Sequence, residues 1–231
     1  MDFILSGFIQ AFVLLFSGDP ETYTAISTTL CVSTISILAS LAIGAPLGFL
    51  LGYHNFYGKK AVRTVVDTLL SFPTVVIGLL VYAFLSRRGP LGDLGLLFTV
   101  PGIAIGQTLL GLPIVVAMMA TAVESLDQRL KNTLLTLGAA HRHILRTTLW
   151  EARYSLILAA AAAYGRIVSE IGISMMVGGN IKWHTRTITT AIALETGKGE
   201  FAMGIALGLV LMLIAFAVNF SMSGIRKRAG Q

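Results

Sequence analysis

The chain has 231 residues, of which 55% are hydrophobic and 12% are charged, and its mean hydropathy is +0.81. A soluble domain of this size cannot bury so much apolar surface, so the composition excludes a soluble globular protein and indicates a polytopic membrane protein. The net charge of +6 lies mostly in short loops and at the C-terminus. This distribution is typical of cytoplasmic loops and argues against a nucleic-acid partner.

The first apolar run covers residues 3–16 and is followed by a turn-forming stretch at 17–21. It is shorter than the roughly 20 residues with which a helix crosses a bilayer. It lacks the basic start and the cleavage site of a secretory signal, so we expect it to be retained. Residues 1–16 therefore predict an N-terminal helix that is either peripheral to the membrane or a short sixth span.

Five longer apolar runs each reach the length of a spanning helix. They predict an all-α membrane domain over residues 24–223, followed by a basic tail at 224–231. Small residues within the runs predict close helix packing, and we expect the prolines to break or kink their helices. The runs are residues 25–52, 65–85, 99–123, 154–177 and 201–223, and the prolines are Pro46, Pro73, Pro101 and Pro113.

The basic residues predict which side of the membrane each loop faces. Loops 54–63 and 124–153 and the tail are rich in Lys and Arg, and they share one side if five spans alternate. Because cytoplasmic loops carry such an excess, we expect this side to be the cytoplasm. Arg87 and Arg88 on the opposite side are a weaker, contrary signal. The sequence thus predicts a multi-pass protein of the cell membrane, in contact with lipid, with a cytoplasmic 124–153 loop and C-terminus.

Patterns for catalysis, metal binding or nucleotide binding are missing from the sequence. The string that comes nearest to a phosphate-binding loop, at 52–60, has the wrong spacing and lacks a hydroxyl after its lysine. His141 and His143 are two residues apart, so they lie on different faces of a helix, and no cysteine or carboxylate completes a metal site. We therefore expect no catalytic residue, no metal site and no cofactor.

Two pairs of opposite charge have the i, i+4 spacing that brings side chains together on a helix. Arg63 ends the loop before the second run and Asp67 lies in the first turn of that run, and we expect them to pair at the membrane boundary. Arg166 and Glu170 lie within the fourth run, where charges cost about 2.5–3.5 kcal/mol each and face an interior or a water-filled cavity. This second pair is either close to an anion route, with Glu170 restraining Arg166, or a structural ion pair.

Residues 132–147 predict an amphipathic helix within the 124–153 loop. Leu135, Leu137 and Ile144 are among its apolar positions, whereas Arg142 and Arg146 are polar. The pattern alone favours a helix that lies on anionic lipid over a helix that a soluble partner binds.

The string Leu137-Gly138-Ala139-Ala140 resembles the loop signature of the membrane subunits, or permeases, of ABC importers. In that family a Glu-Ala-Ala triplet precedes the glycine and a Leu-Pro pair follows it. Here these positions read Asn132-Thr133-Leu134 and Trp150-Glu151, so the glycine and its apolar flanks are kept while the glutamate and the proline are absent. The resemblance implies that this helix contacts a partner ATPase. The implied contact residues are Asn132, Leu135, Leu137, Gly138, Ala139, Ala140, His141 and Ile144.

Further strings at 71–80, 165–181 and 185–195 resemble permeases of the molybdate/sulfate/tungstate importer group, most closely the tungstate type. The resemblance extends from about residue 17 to the end and implies the type I ABC-importer permease fold. It also implies a homodimer, two ATP-binding cassette ATPase subunits and an extracytoplasmic oxyanion-binding protein. The implied cargo is a tetrahedral oxyanion, tungstate first, with molybdate or sulfate as the alternatives.

The same resemblance implies that the segment after the fourth run lines an outer gate. The candidate residues are Asn180, Thr185, Arg186 and Thr187, although as loop residues they also suit capping and turning the chain. Asn219, near the end of the last run, is expected to form a hydrogen bond between helices.

Two other functions stay open. One is a secondary transporter driven by an ion gradient, with Arg166, Glu170 and Asp67 as its relay. No internal repeat of the kind common in such transporters is visible, which counts against it. The other is a membrane scaffold, which leaves the cytoplasmic helix and the outer motif unexplained.

Overall fold

The computed structural model describes residues 2–126, 136 and 138–229. Within these residues the chain forms ten α-helices and a 3₁₀ turn at Gly92–Leu94, and no strand. The first five are α1 (Asp2–Phe16), α2 (Pro20–Tyr53), α3 (Lys59–Leu70), α4 (Thr74–Leu85) and α5 (Val100–Glu124). The others are α6 (His141–Glu151), α7 (Arg153–Val168), α8 (Gly172–Gly178), α9 (Ile188–Gly197) and α10 (Phe201–Ala229). The all-α membrane fold predicted from the sequence is confirmed.

Three of the five predicted spans are single helices long and apolar enough to cross a bilayer, namely α2, α5 and the 201–218 part of α10. The other two are broken. Helices α3 and α4 meet at an angle of 97°, and α7 and α8 meet at 61°. The chain therefore has five spans if each bent pair crosses the membrane once.

The prolines explain only part of this bending. Pro73 is the N-cap of α4 and lies at the 97° break, as its predicted role requires. Pro46 and Pro113 lie inside α2 and α5, which continue past them. Pro101 occupies the first turn of α5, where its missing N–H has no helical partner to lose, so the expected break there was wrong. The 61° break has no proline.

Helices α2 and α5 form the centre of the bundle, and glycines let their backbones approach. A Cβ atom added to Gly48 would lie 2.6 Å from the Val116 carbonyl oxygen, and one added to Gly52 would lie 2.7 Å from that of Ala120. Gly44 continues this α2–α5 seam one turn earlier, against Val115 at 3.0 Å. In lipid such close packing is what holds helices together, because the hydrophobic effect does not.

A buried polar network ties this central pair to α8. The Ser36 hydroxyl lies 3.3 Å from Gln107 Oε1, and Gln107 Nε2 donates to the Ser174 hydroxyl at 3.2 Å. All three side chains are buried. Around them, Val81, Leu110 and Ile173 belong to the apolar core shared by α4, α5 and α8. The network stabilises one arrangement of three helices, since each buried polar atom needs its partner.

The N-terminal helix α1 packs along the last helix, α10. A Cβ atom added to Gly7 would lie 2.7 Å from the Ile205 side chain, so the two helices are in close contact. At 15 residues, α1 is about 22 Å long, which is less than the roughly 30 Å of a bilayer core. The two sequence-based interpretations of α1, peripheral helix or short span, therefore stay predictions. The side chain of Asn219 lies outside the described part of the chain.

Candidate coupling and translocation sites

The loop between α5 and α6 contains a turn at Gly138. Gly138 has φ +71°, a left-handed conformation that favours glycine, and Ala140 is extended before α6 begins at His141. Thr136 is helical. The prediction of one continuous helix over 132–147 was therefore wrong at 138–140, because a left-handed glycine ends a helix. Of the predicted contact residues, Asn132, Leu135 and Leu137 lie outside the described residues.

Helix α6 is amphipathic, as the sequence predicted for this part of the loop. Ile144 is fully buried, and the Thr148 hydroxyl donates to its carbonyl oxygen at 2.8 Å. The opposite face is exposed and carries basic and aromatic side chains. The exposed residues are Arg142, His143, Arg146, Leu149 and Trp150. Gly138 is exposed as well.

The predicted pair of Arg166 and Glu170 is present, with Arg166 Nη1 3.3 Å from Glu170 Oε2. The two side chains differ sharply in burial, since 46% of Arg166 but only 2% of Glu170 is exposed. Arg166 lies in the last turn of α7, whereas Glu170 lies beyond it, inside the 61° break. The carboxylate of Glu170 is therefore buried in the helix bundle, whereas the guanidinium of Arg166 is partly exposed.

Glu170 makes two further contacts that hold the broken span together. Its Oε1 atom accepts from the Ile173 backbone N–H at 3.2 Å, near the start of α8, where a negative charge is favourable. Its main-chain oxygen accepts from the Thr189 hydroxyl of α9 at 2.9 Å. One residue thus connects α7, α8 and α9, and this contact set explains a break that no proline causes.

The two breaks of the bundle touch each other. A Cβ atom added to Gly172, at the start of α8, would lie 3.1 Å from Val75 and 3.3 Å from the Thr74 hydroxyl, at the start of α4. Gly78 approaches Ile173 equally closely, at 3.2 Å. The half-exposed Arg166 lies beside this junction. Because charges within a membrane face protein or water, we expect this face of α7 to meet protein or water rather than lipid.

The segment between α8 and α9 is tied to the start of α2 by charges. Glu21 pairs with Arg186 and with Lys182, whose Nζ lies 2.6 Å from Glu21 Oε2. Arg186 Nε also donates to Asn180 Oδ1 at 3.2 Å. The roles of Glu21 and Lys182 were not predicted, since Glu21 and its two partners lie more than 150 positions apart, and only the acidic residues Asp19 and Glu21 gave a local signal.

Thr185 and Thr187 of the same segment are buried and bonded. The Thr185 hydroxyl donates to the Gly178 carbonyl oxygen at 2.5 Å and accepts from the Ile181 N–H at 3.1 Å. Thr187 is the N-cap of α9 and forms a reciprocal capping box with Thr190. Asn180 has φ +50°, so the chain turns sharply here. Of the four gate candidates, Thr185 and Thr187 thus bond within their own segment, whereas Asn180 and Arg186 are joined to each other and, through Arg186, to Glu21.

Two cavities accompany these sites. Glu21, Lys182, Arg186 and Asn180 form the Glu21 cluster. The first three of these residues line a cavity of about 340 Å³ together with Asp19, Glu195 and Lys198. A larger, apolar cavity of about 740 Å³ lies between α2, α3, α4 and α5, and Leu50, Val66 and Leu80 are among its lining residues. Within the described residues, no group of His, Cys, Asp and Glu is arranged to hold a metal ion.

A family model described as "binding-protein-dependent transport system inner membrane component" matches residues 44–231. This stretch is most of the chain and includes both bent pairs. The chain belongs to this family. It is therefore a multi-pass membrane protein, and the ABC-importer permease resemblance of its motifs is confirmed.

Several individual permeases are similar to this chain over most of its length. The tungstate uptake system permease protein TupB of Campylobacter jejuni is 51% identical over 95% of this chain and 92% of its own length. A probable anion ABC transporter permease protein of Haloferax volcanii is 43% identical over 85% of this chain and 86% of its own. The molybdenum transport system permease protein ModB of Escherichia coli is more distant, at 29% identity over 85% and 93%. These relatives are transport subunits.

Solved structures share the fold. A chain of the MetNI methionine ABC transporter, in an inward-facing conformation, superposes with a TM-score of 0.73 over 91% of this chain and 98% of its own, at 20% sequence identity. At this identity the likeness concerns the fold alone. The predicted type I ABC-importer permease fold is confirmed.

Proposed function

We propose that this chain is the membrane-spanning permease subunit of an ATP-driven importer for a tetrahedral oxyanion, with tungstate as the cargo. The observation that carries the proposal is the 51% identity, over 95% of the chain, to a tungstate uptake permease. Molybdate and sulfate are the alternative cargoes, since all three are tetrahedral dianions. Neither the motifs nor the described site contains a cage of oxyanion donors, so cargo selection belongs chiefly to the binding protein.

The proposed assembly contains two copies of this chain, two ATPase subunits and an extracytoplasmic oxyanion-binding protein. ATP is bound and hydrolysed by the ATPases, because this chain has no nucleotide-binding loop. Each ATPase contacts the cytoplasmic loop at the Gly138 turn and the exposed face of α6. Nucleotide and binding protein then shift the bundle between inward-open and outward-open forms, through their different affinities for the two.

The proposed route for the anion passes the exposed side of Arg166. A fully free arginine would bind a dianion tightly and hold it, whereas conduction requires a site that is only weakly attractive. The ion pair with the buried Glu170 supplies this restraint, since Glu170 neutralises part of the guanidinium charge. Glu170 itself is a structural residue in this proposal, because its oxygens are occupied by α8 and by Arg166.

The proposed outer gate uses the Glu21 cluster. Asn180 and Arg186 belong to the segment after α8, Glu21 belongs to α2, and their contacts join the two in the described conformation. Thr185 and Thr187 keep that segment in shape. Opening at this end requires these ion pairs to separate.

Reconstitution tests the function directly. Proteoliposomes that contain this chain, its ATPase and its binding protein are loaded with ATP inside, and tungstate uptake is measured by mass spectrometry of the vesicles. We expect uptake only with all three components and ATP, and competition by molybdate only to the extent that the binding protein binds it. Uphill uptake by this chain alone, without nucleotide, would establish an ion-coupled secondary transporter instead.

The coupling assignment has its own test at Gly138. Gly138→Val places a β-branched side chain at φ +71°, which strains the turn, and we expect ATP-driven uptake and ATPase co-purification to fall together. Gly95→Val is the matched control, because Gly95 is also left-handed, at φ +61°, with open space around it, but lies in the loop between α4 and α5. Equal effects of the two substitutions, or no effect of Gly138→Val, would contradict the assignment.

A further inference from the structure

A cluster of charges joins α3 to the end of α5, where the 124–153 loop begins. Lys59 Nζ lies 3.0 Å from Glu124 Oε1, and Arg63 Nη1 lies 3.7 Å from Glu124 Oε2. Arg63 Nη2 also donates to the Thr121 hydroxyl at 2.5 Å. These four residues, Lys59, Arg63, Thr121 and Glu124, form the Glu124 cluster. The predicted pair of Arg63 with Asp67, at 3.4 Å, borders it on the same face of α3.

The Glu124 cluster is also fixed to α2. Lys59 Nζ donates to the Gly52 carbonyl oxygen at 3.2 Å, and Gly52 is the last glycine of the α2–α5 seam. Three helices therefore meet at the first residue of the loop. The Lys59 side chain is 20% exposed and that of Glu124 is 39% exposed. A partly sheltered network of this kind holds its geometry better than an isolated surface ion pair.

A series of contacts connects the Glu124 cluster, through α3 and α4, with the 61° break between α7 and α8. Helix α3 runs from Lys59 to the 97° bend, and the first turn of α4 begins directly after it. That turn touches Gly172 through Val75 and Thr74, next to Glu170. A change in the direction of α3 therefore reaches the α8 break through packed segments, without passing through the long axis of α5.

We infer that the Glu124 cluster is a second transmission point, at which movement of the 124–153 loop turns α3 about the bend at 71–73 and so moves α4 and α8. The inference rests on the proposed function, because it assigns a role to these residues in ATP-driven transport. Lys59, Arg63 and Glu124 are positioning residues in it, since none of them needs to touch the anion or the ATPase.

The test measures how many anions are taken up per ATP hydrolysed by the complete complex in proteoliposomes. Glu124→Gln removes the charge that both cations share and keeps the side-chain shape. We expect the ratio of uptake to hydrolysis to fall about five- to tenfold, the size of a typical coupling interaction, while ATPase co-purification stays unchanged. Lys59→Gln breaks the cluster from the α3 side, outside the loop, and should give the same fall. Lys59→Arg keeps the charge and should restore the ratio.

Asp67→Asn is the matched control, because it removes an ion pair of Arg63 within α3 but leaves the contacts to α5 intact. It should leave the ratio within about twofold, as expected for an exposed i, i+4 pair. A wild-type ratio in Glu124→Gln would overturn the inference. So would a defect in Glu124→Gln that Lys59→Gln does not share, since the effect would then belong to the loop itself. If the wild-type complex shows no ATP-driven uptake, the proposed function fails instead.

Discussion

Glu170 connects three helices although it lies in none of them. The i, i+4 spacing to Arg166 was visible in the sequence, and the pairing it predicted is present. The carboxylate's contact with Ile173 and the main-chain contact with Thr189 were not visible, because both depend on where the chain bends. A charge pattern thus predicted the partner but not the break that the partner stabilises.

A double-mutant cycle separates the structural role of this pair from a role in transport. Arg166→Gln leaves the buried carboxylate without its cation, and we expect destabilisation of about 1.5–3 kcal/mol, as for other hydrogen bonds to charged groups. The Arg166→Gln/Glu170→Gln double variant should recover most of that stability. Thermal unfolding in detergent measures the stability, and proteoliposome uptake measures the function. Recovery of both would mean that Arg166 is purely structural and would contradict its place on the route.

A second prediction concerns the buried hydroxyl of Thr185. Thr185→Val keeps the shape of the side chain but leaves the Gly178 carbonyl oxygen and the Ile181 N–H without their partner. We expect a loss of about 1–3 kcal/mol in stability from these unpaired buried groups, measured by thermal unfolding. Thr185→Ser keeps the hydroxyl and should lose clearly less. Equal losses would show that the methyl group, and not the hydrogen bonds, matters here.

The positions of some helices and bends can be predicted from the sequence, and those of others cannot. Apolar runs of sufficient length located α2, α5 and α10, since length and composition decide whether a helix crosses a membrane. Pro73 marked the bend between α3 and α4. The bend at 169–171 has no such residue, and there the main-chain oxygen of Glu170 accepts a tertiary hydrogen bond from Thr189 of α9. Breaks that arise from tertiary contacts cannot be located from local sequence alone.

Because α2 and α5 pack closely, we expect a larger residue at their contact to destabilise the protein. Gly48→Ala brings a methyl group to within 2.6 Å of the Val116 carbonyl oxygen, so the two helices have to separate. We expect destabilisation of about 1–3 kcal/mol, the usual cost of overpacking. Gly208→Ala in α10 is the control, since nothing lies within 4 Å of the added atom, and it should be neutral or slightly stabilising. Thermal unfolding of both variants measures the difference. A wild-type melting temperature for Gly48→Ala would show that the seam is looser than these distances indicate.

The distribution of Lys and Arg over the loops predicts the orientation of the protein in the membrane. The loops that contain Tyr57 and Gly138 are expected on the cytoplasmic side, and the loop with Arg88 is expected outside. The family and the relatives support the chain's place in the membrane, and its sidedness stays a prediction.

Cysteine labelling tests this orientation. In a Cys31→Ser background, Tyr57→Cys should react with a membrane-impermeant thiol reagent only after the membrane is opened, since Tyr57 is fully exposed in a basic loop. Arg88→Cys should react in intact cells. The opposite labelling pattern would contradict the predicted orientation. It would also contradict the proposed contact between the ATPase and the loop that contains Gly138.

The α2–α5 seam also limits which movements are open to the bundle. Successive glycines one turn apart fit against the backbone of α5, so moving α2 along its axis out of this register would bring Leu51, which lies on the same face, onto that backbone. We therefore expect these two helices to move together rather than slide past each other. The bends after Leu70 and Val168 are then the expected hinges of a conformational change.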